Sequence, residues 1–145
     1  MLIYLDNCCF NRPFDDQSSI RVKLETDAKL YTQLQIKTGK IELAWSYILD
    51  FENEANPFIE RKSTVEKWKR LSVVDVVENE TILSLAARFS VYGLKAKDAL
   101  HVACAVEAKC SFFLTTDDIV LKKMSGKSEI VVINPTEFIK IIEEV

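Results

Sequence analysis

The chain begins with an apolar run that ends at a carboxylate. Residues 2–5 are Leu-Ile-Tyr-Leu, and Asp6 follows them directly. Because polar and apolar residues do not alternate here, the run predicts a strand buried on both faces, as in a parallel sheet covered by helices. In open α/β sheets, ligands bind where the strands end. Asp6 is therefore a candidate site residue, and the capping of a turn is the alternative.

Length and composition limit the class of protein. The 145 residues suffice for one domain, 1–145, and 48% of them are hydrophobic against 28% charged. The sequence has no apolar run of the roughly 20 residues that span a bilayer and no secretory signal, so we expect a cytoplasmic protein without membrane contact. Its four cysteines lack zinc-site spacing and are expected to be reduced.

Apolar periodicity predicts strands and helices in alternation, and hence a three-layer α/β/α domain with a mainly parallel central sheet. Residues 7–13 are expected to form a loop, and Ser63-Thr64-Val65-Glu66 matches a capping box that would begin a short helix. The predicted strands cover residues 2–6, 41–45, 111–115 and 130–133, and residues 72–77 are expected to form a short strand or an extended link. The other predicted helices cover 20–37, 79–93, 95–109, 117–124 and a segment that starts at Pro135. If residues 46–54 are helical, Pro57 would break or kink that helix.

Three more acids stand where such a fold would place a site. Asp117 follows the apolar stretch 112–114, so it shares an edge with Asp6 if the two strands are parallel neighbours. Asp98 lies near the start of a helix, where the helix dipole favours a negative charge. Glu52 can point back toward the strand ends from the helix after the second strand. For Asp98 and Asp117, plain helix capping is the alternative.

Four blocks of the sequence form a recognisable set. They are Asp6 after the first strand, Ser46 with Glu52 six residues later, the run Lys97-Asp98-Ala99-Leu100-His101-Val102-Ala103-Cys104-Ala105, and Leu114-Thr115-Thr116-Asp117. Together they resemble the PIN-domain family, including the VapC toxins of toxin–antitoxin pairs. The resemblance spans nearly the whole chain and preserves the order and spacing of its acidic positions.

The resemblance implies a metal-dependent ribonuclease with catalytic and metal-binding acids at Asp6, Glu52, Asp98 and Asp117. Four carboxylates need a positive charge to offset them, and Mg²⁺ or Mn²⁺ prefers such oxygen ligands. If the alignment is off by a turn, Glu54 or Asp118 would replace a ligand. Neighbouring hydrogen-bonding residues are expected to support these acids, and nearby cations could contact RNA phosphates. The supporting residues are Thr115, Asn7 and Ser46, and the cations are Arg12, Lys95 and Lys97.

His101, the only histidine, is expected to be a core residue or a support for the acids rather than a general base.

Two other functions remain open at this point. A PIN-like fold could be a catalytically inactive module that binds RNA or protein, as the net charge of −3 and the missing basic stripe would permit. A haloacid-dehalogenase-like phosphatase would also carry an aspartate after its first strand. That class needs a second aspartate two residues later, where this chain has Cys8.

Large apolar side chains in the first half of the chain predict an interface. A core of this size need not absorb them all, and the family resemblance implies a homodimer and a cognate antitoxin. The alternative is that they close the core of a monomer. These residues are Leu30, Tyr31, Phe58, Ile59 and Trp68.

Overall fold

The computed structural model describes residues 1–143, and its centre is one parallel sheet. The strands are β1 (Leu2–Leu5), β2 (Glu42–Ser46), β3 (Val74–Val76), β4 (Phe112–Leu114) and β5 (Val131–Ile133). Their order across the sheet is β3-β2-β1-β4-β5, and every neighbouring pair is parallel. The predicted α/β architecture with a mainly parallel sheet is confirmed.

Helices cover both faces of this sheet. The chain moves outward from β1 through β2 to β3 and then returns past β1 to β4, so right-handed crossovers place the two sets of connecting helices on opposite faces. On one side α2 packs against α8, and on the other α5 packs against α6. The helices are α1 (Asn7–Asn11), α2 (Ile20–Lys37), α3 (Tyr47–Glu54), α4 (Ile59–Lys69), α5 (Glu80–Val91), α6 (Ala96–Glu107), α7 (Asp118–Lys123) and α8 (Pro135–Ile142).

Strand β1 is the centre of the core. Ile3, Tyr4 and Leu5 are fully buried, as the unbroken apolar run predicts. The Tyr4 ring stacks on that of Phe113 in β4, with 5.3 Å between the ring centroids. Because β1 pairs with β2 on one side and β4 on the other, the residues that follow these three strands lie at one edge of the sheet.

The loop predicted for residues 7–13 is wrong. This segment contains helix α1 and then a 3-10 turn over Arg12–Phe14. Asp6 caps α1, and the helix buries Cys9 and Phe10, with the Phe10 ring 5.2 Å from that of Trp45. Asn and Cys are weak helix formers. Burial of these side chains in the core therefore stabilises α1, and the helix propensities of its residues do not predict it.

The predicted start of the next helix at Ser63 is also wrong, because α4 begins at Ile59. Asn56 instead accepts a hydrogen bond from the Phe58 backbone N–H at 3.1 Å, which forms a turn just before the helix. Glu60, Arg61 and Lys62 favour helix and extend it ahead of the capping-box pattern.

In the part of the chain that the structure describes, no helix is both long and apolar enough to cross a membrane.

A buried carboxylate joins α2 to three other segments. The Glu25 side chain is 2% exposed. Its Oε1 accepts hydrogen bonds from Arg12 Nε at 2.9 Å and Nη2 at 2.6 Å. Its Oε2 accepts from Arg21 Nε at 3.2 Å and Asn134 Nδ2 at 2.6 Å. Arg21 also donates to the Asp118 carboxylate. Glu25 therefore connects the segment after α1 and the start of α8 directly, and it connects the start of α7 through Arg21.

We expect Glu25→Gln to lower the free energy of unfolding by about 3 kcal/mol, because it leaves Arg12 and Arg21 without their shared counter-charge. Urea unfolding followed by circular dichroism measures this change. The matched control is Asp27→Asn on the same helix, which removes an exposed pair with Lys23 and should cost less than about 0.5 kcal/mol. Equal effects of the two variants would contradict a special role for Glu25.

Candidate active site

The carboxyl edge of the sheet brings Asp6 and Asp117 together. Strands β1 and β4 are parallel neighbours, with Leu5 paired to Leu114. Asp6 follows Leu5 directly and Asp117 comes three residues after Leu114. The Asp6 backbone N–H donates to the Leu114 carbonyl at 2.9 Å. The register of two strands therefore sets the positions of these two acids.

Asp6 is largely buried and has several donors around it. Its Oδ1 accepts the Asn7 backbone N–H at 2.8 Å, and its Oδ2 accepts the Thr115 hydroxyl at 2.8 Å. The Cys8 thiol lies 3.5 Å from the same Oδ2. These donors offset the cost of burying a charge. Thr115 and Asn7, predicted to support the acids, both contact Asp6.

Asp117 caps α7 and stays linked to the same group of residues. Its Oδ1 accepts the backbone N–H groups of Ile119 at 2.9 Å and Val120 at 3.4 Å. Its own backbone N–H donates to the Thr115 hydroxyl at 3.1 Å. Thr115 thus connects Asp6 to Asp117. The capping role considered from the sequence is real, and it leaves Oδ2 without a hydrogen bond among residues 1–143.

Glu52 reaches the edge from α3. Its Oε2 accepts the Asn7 side-chain amide at 3.0 Å, and its Oε1 accepts a hydrogen bond from His101 Nε2. Burial alone would raise the pKa of Glu52. The hydrogen bonds from His101 and Asn7 and the charge of Lys97 outweigh burial, so this pKa lies below its usual value. Glu52 is therefore ionised at neutral pH.

Asp98 is half-buried in the first turn of α6 and accepts no hydrogen bond within the described residues. Burial raises its pKa to about 6, and the nearby charges of Asp6, Asp117 and Glu52 add to the increase. His101 acts in the opposite direction. Asp6, Asp117 and Glu52 are thus all close enough to Asp98 to act on it electrostatically.

The donor set fits a hard divalent cation that is recruited with water and substrate. Across residues 1–143, no three His, Cys, Asp or Glu side chains form a ready metal-binding group. Mg²⁺ does not require one, since it is usually held by one or two carboxylates, several waters and substrate phosphates. All four acids carry carboxylate oxygens of the kind that these cations prefer, and after burial the charges of Asp6, Asp117 and Glu52 add to the raised pKa of Asp98, so a cation here would offset their repulsion. These residues therefore suit Mg²⁺ or Mn²⁺.

The three predicted phosphate-binding cations differ in their environment. The Arg12 guanidinium is occupied by Glu25 and Asp15. Lys95 is exposed at the residue before α6. Lys97 is exposed, lies 5.4 Å from the Phe51 ring centroid and acts electrostatically on Glu52. Lys97 therefore has the closest link to the acids.

The two acids considered as substitutes are engaged elsewhere. Glu54 pairs with Lys62 at 3.3 Å and its side chain is 74% exposed. Asp118 pairs with Arg21 at 2.7 Å. Neither is among the charges that act on Asp98. Glu54 and Asp118 therefore lie in ion pairs outside the group of acids that acts on Asp98.

The contacts among Ser46, Tyr4 and His101 are the part of this site that the sequence did not predict. Ser46 touches none of the four carboxylates. It caps α3 and lies 2.5 Å from the Tyr4 hydroxyl, which in turn lies 2.6 Å from His101 Nδ1. Tyr4 carried no signal beyond that of an apolar strand residue, and His101 was expected only to be a core or supporting residue. A histidine one turn after Asp98 was the one available indication.

Comparisons with known proteins identify a family and several similar folds. The PIN domain family model matches residues 3–127. Structural matches include FitAcB from Neisseria gonorrhoeae (TM-score 0.58, 18% identity, covering 92% of this chain and 97% of that one). VapBC2 from Rickettsia felis, bound to a promoter DNA fragment, has a TM-score of 0.57 and 10% identity, covering 92% of this chain and 98% of that one. VapBC-1 from nontypeable Haemophilus influenzae has a TM-score of 0.57 and 12% identity, covering 94% of this chain and 99% of that one. No curated protein matches in sequence.

Asp98→Asn should stabilise the metal-free protein at neutral pH. The folded state holds the Asp98 proton more tightly than the unfolded chain, so ionisation costs stability as pH rises from about 4, and the full cost is present above about 6. Since solvent partly screens this carboxylate, we expect a gain on the order of 1 kcal/mol at pH 7.5 and little gain at pH 4.

Urea unfolding in EDTA at the two pH values tests this expectation, with Asp27→Asn as the control for loss of a surface charge. A gain that is the same at both pH values would contradict it.

Proposed function

The chain belongs to the PIN-domain family, and we propose that it is a Mg²⁺- or Mn²⁺-dependent endoribonuclease whose catalytic and metal-binding residues are Asp6, Glu52, Asp98 and Asp117. The observation that carries the proposal is the electrostatic coupling of these acids at the carboxyl edge of the sheet, where Asp6, Asp117 and Glu52 all raise the pKa of Asp98. Such a group is unfavourable by itself and becomes favourable when it binds a cation.

The carboxylates of the proposed site differ in how firmly they are held. Asp6 is held by Asn7 and Thr115, and Glu52 by Asn7 and His101, so both carboxylates are oriented before anything binds. Asp98 accepts no hydrogen bond within residues 1–143, so its oxygens can accept a ligand. A cation held by these carboxylates would supply an activated water molecule as the nucleophile and positive charge beside the scissile phosphate. No side chain need form a covalent bond to the substrate.

Exposed lysines next to the acids support RNA as the substrate. Lys95 is the N-cap residue of α6, and Lys97 lies in its first turn directly before Asp98. They provide positive charge for the phosphates that flank the scissile bond. The Arg12 guanidinium is paired with Glu25, so it would contact a phosphate only while it keeps this ion pair. With a net charge of −3, the chain depends on this local patch to attract RNA.

The VapC resemblance supports a toxin role, with a cognate antitoxin as partner and the cytoplasm as location. Two of the structural neighbours are named VapBC, which agrees with this resemblance. Their TM-scores of 0.57 support the fold, and the antitoxin partner is part of our proposal.

One observation favours the second candidate, an inactive PIN-like module that binds RNA or protein. The described residues contain no ready metal-binding group. A pure RNA-binding module would, however, gain nothing from four acids at the substrate edge, because they repel phosphate. The phosphatase alternative loses its support with the PIN-domain match, and Cys8 stands where its second aspartate would be.

Exposed apolar residues at the start of α4 support a homodimer. Ile59 is 82% exposed and Phe58 is 53% exposed, and the Arg61 guanidinium lies 4.1 Å from the Phe58 ring centroid. Leu30 and Tyr31 on α2 are exposed as well. Trp68, predicted to belong to this set, is partly buried against the core under Lys37. Residues exposed in this way are typical of an interface between copies.

We expect the purified protein to cleave a labelled mixed-sequence RNA in Mn²⁺ and not in EDTA. Asp6→Asn and Asp98→Asn should reduce cleavage to the EDTA background, because each removes an oxygen ligand from the cation. Gel analysis of the RNA fragments measures this.

The matched controls are Glu54→Gln and Asp118→Asn, which remove exposed acids outside the coupled group and should cleave at the parent rate. If Asp98→Asn cleaves as fast as the parent, the assignment is wrong. If the parent binds RNA without cutting it under any metal condition, the inactive module is the better reading.

Light scattering at micromolar concentration should give twice the 16.6 kDa of one chain. Ile59→Glu should return the mass to that of a monomer, because it places a charge in the proposed contact. Val91→Glu is the control, since Val91 is equally exposed, on α5, and lies outside the proposed patch. A parent mass near 16.6 kDa would rule the dimer out.

A further inference from the structure

A chain of buried hydrogen bonds runs from the core of the sheet to Glu52. The Tyr4 hydroxyl lies 2.5 Å from Ser46 Oγ and 2.6 Å from His101 Nδ1. Ser46 Oγ also accepts the Leu49 backbone N–H at 3.3 Å. At the other end, His101 Nε2 bonds to Glu52 Oε1. The chain therefore links a backbone N–H of α3 to a carboxylate at the candidate site.

The direction of the last bond follows from the chemistry of its partners. An ionised carboxylate can only accept hydrogen bonds, so His101 Nε2 carries the hydrogen whether the imidazole is neutral or charged. Burial raises the pKa of Tyr4 well above its usual value, so its hydroxyl keeps its proton. Both ring nitrogens of His101 are thus engaged, one by Tyr4 and one by Glu52.

Packing holds the imidazole in one orientation. His101 is 1% exposed, and its ring meets that of Tyr4 edge-on, with 5.7 Å between centroids and an interplanar angle of 65°. Tyr4 is itself stacked on Phe113. The side chains come from β1, the end of β2 and α6, three elements that the core fixes relative to one another.

This arrangement leaves part of Glu52 available to a ligand. His101 takes one position on Oε1 and Asn7 takes one on Oε2, out of about four lone-pair positions on a carboxylate. The carboxylate is then held from two sides and still has a free position on each oxygen. A cation or a water molecule at the crevice could use these positions.

We propose that Tyr4 and His101 are positioning residues that orient the Glu52 carboxylate for binding of the divalent cation. This inference rests on the proposed function, because it takes Glu52 as a metal ligand. His101 contacts Glu52 directly, and Tyr4 acts through His101. Mutation of a partner that orients a ligating side chain in this way typically lowers metal affinity by roughly 10- to 100-fold.

Packing alone does not account for these polar groups. Burying the Tyr4 hydroxyl and the His101 imidazole costs free energy that their hydrogen bonds only offset. A phenylalanine at position 4 would keep the ring stack on Phe113, and a leucine at position 101 would fill the same space. Among the side chains of this hydrogen-bond chain, Glu52 is the one that reaches solvent. Orientation of Glu52 is therefore what the polar groups provide.

The test is calorimetric titration of the full-length protein with MnCl₂ alone, without RNA. We expect His101→Leu to weaken Mn²⁺ binding by about 10-fold or more. His101→Gln should recover most of that loss, because its side chain can accept from Tyr4 and donate to Glu52 as the imidazole does. If His101→Leu binds Mn²⁺ as tightly as the parent, the proposal is overturned.

A double variant separates positioning from stability. His101→Leu alone leaves the buried Tyr4 hydroxyl without one of its partners, which lowers the free energy of unfolding. Tyr4→Phe combined with His101→Leu removes both polar groups, so the free energy of unfolding should be close to that of the parent. Mn²⁺ binding should remain weak. If the affinity returns together with the stability, the two residues are only structural and the proposal fails. Tyr92→Phe, which removes a hydrogen bond to Glu129 elsewhere, is the control and should bind normally.

The Glu52→Gln background distinguishes this inference from the proposed function. There, His101→Leu should cause no further loss of Mn²⁺ affinity, because its effect passes through Glu52. If Glu52→Gln itself leaves the affinity unchanged, the assignment of Glu52 as a ligand fails, and the inference fails with it. If Glu52→Gln weakens binding and His101→Leu does not, only the inference fails.

Discussion

The parallel pairing of β1 with β2 and β4 is the constraint on which the site depends. Because β1 is central and buried, its carboxyl end can neither slide nor turn without breaking two ladders of hydrogen bonds. The position of Asp6 is therefore fixed, and Asp117, which follows β4, lies at the same edge of the sheet. Glu52 follows from the helix that leaves β2. Asp98 comes from α6, which packs against both β2 and β4.

The electrostatic cost of bringing four acids together is distributed unevenly among them. Asp6, Asp117 and Glu52 each accept hydrogen bonds from neighbouring groups. Asp98 accepts none within the described residues, and burial together with the three neighbouring carboxylates raises its pKa to about 6. The ionised form of Asp98 is therefore unfavourable in the folded protein. In the proposed function, a cation would relieve this cost, so stability and metal binding would be linked.

Helix α1 and the position of Trp68 depart from the sequence pattern for the same reason. Helix α1 was expected to be a loop because Asn and Cys favour helix weakly, yet burial of Cys9 and Phe10 stabilises it. Trp68 was expected at a surface patch, and it packs instead against the core. In both cases the deciding contact lies far away in sequence. Local pattern cannot weigh such contacts.

The sequence by itself determined the apolar strand at residues 2–5, the alternation of strands and helices and the acids at strand ends and helix starts. These follow from local periodicity and from the chemistry of single residues. Only the tertiary structure decided how the acids are held. The Tyr4–His101 and His101–Glu52 hydrogen bonds join residues 97 and 49 positions apart, and the pairing of such groups depends on how the sheet and α6 pack. Spacing along the chain carries no record of that packing, because side chains meet in space only after the core has formed.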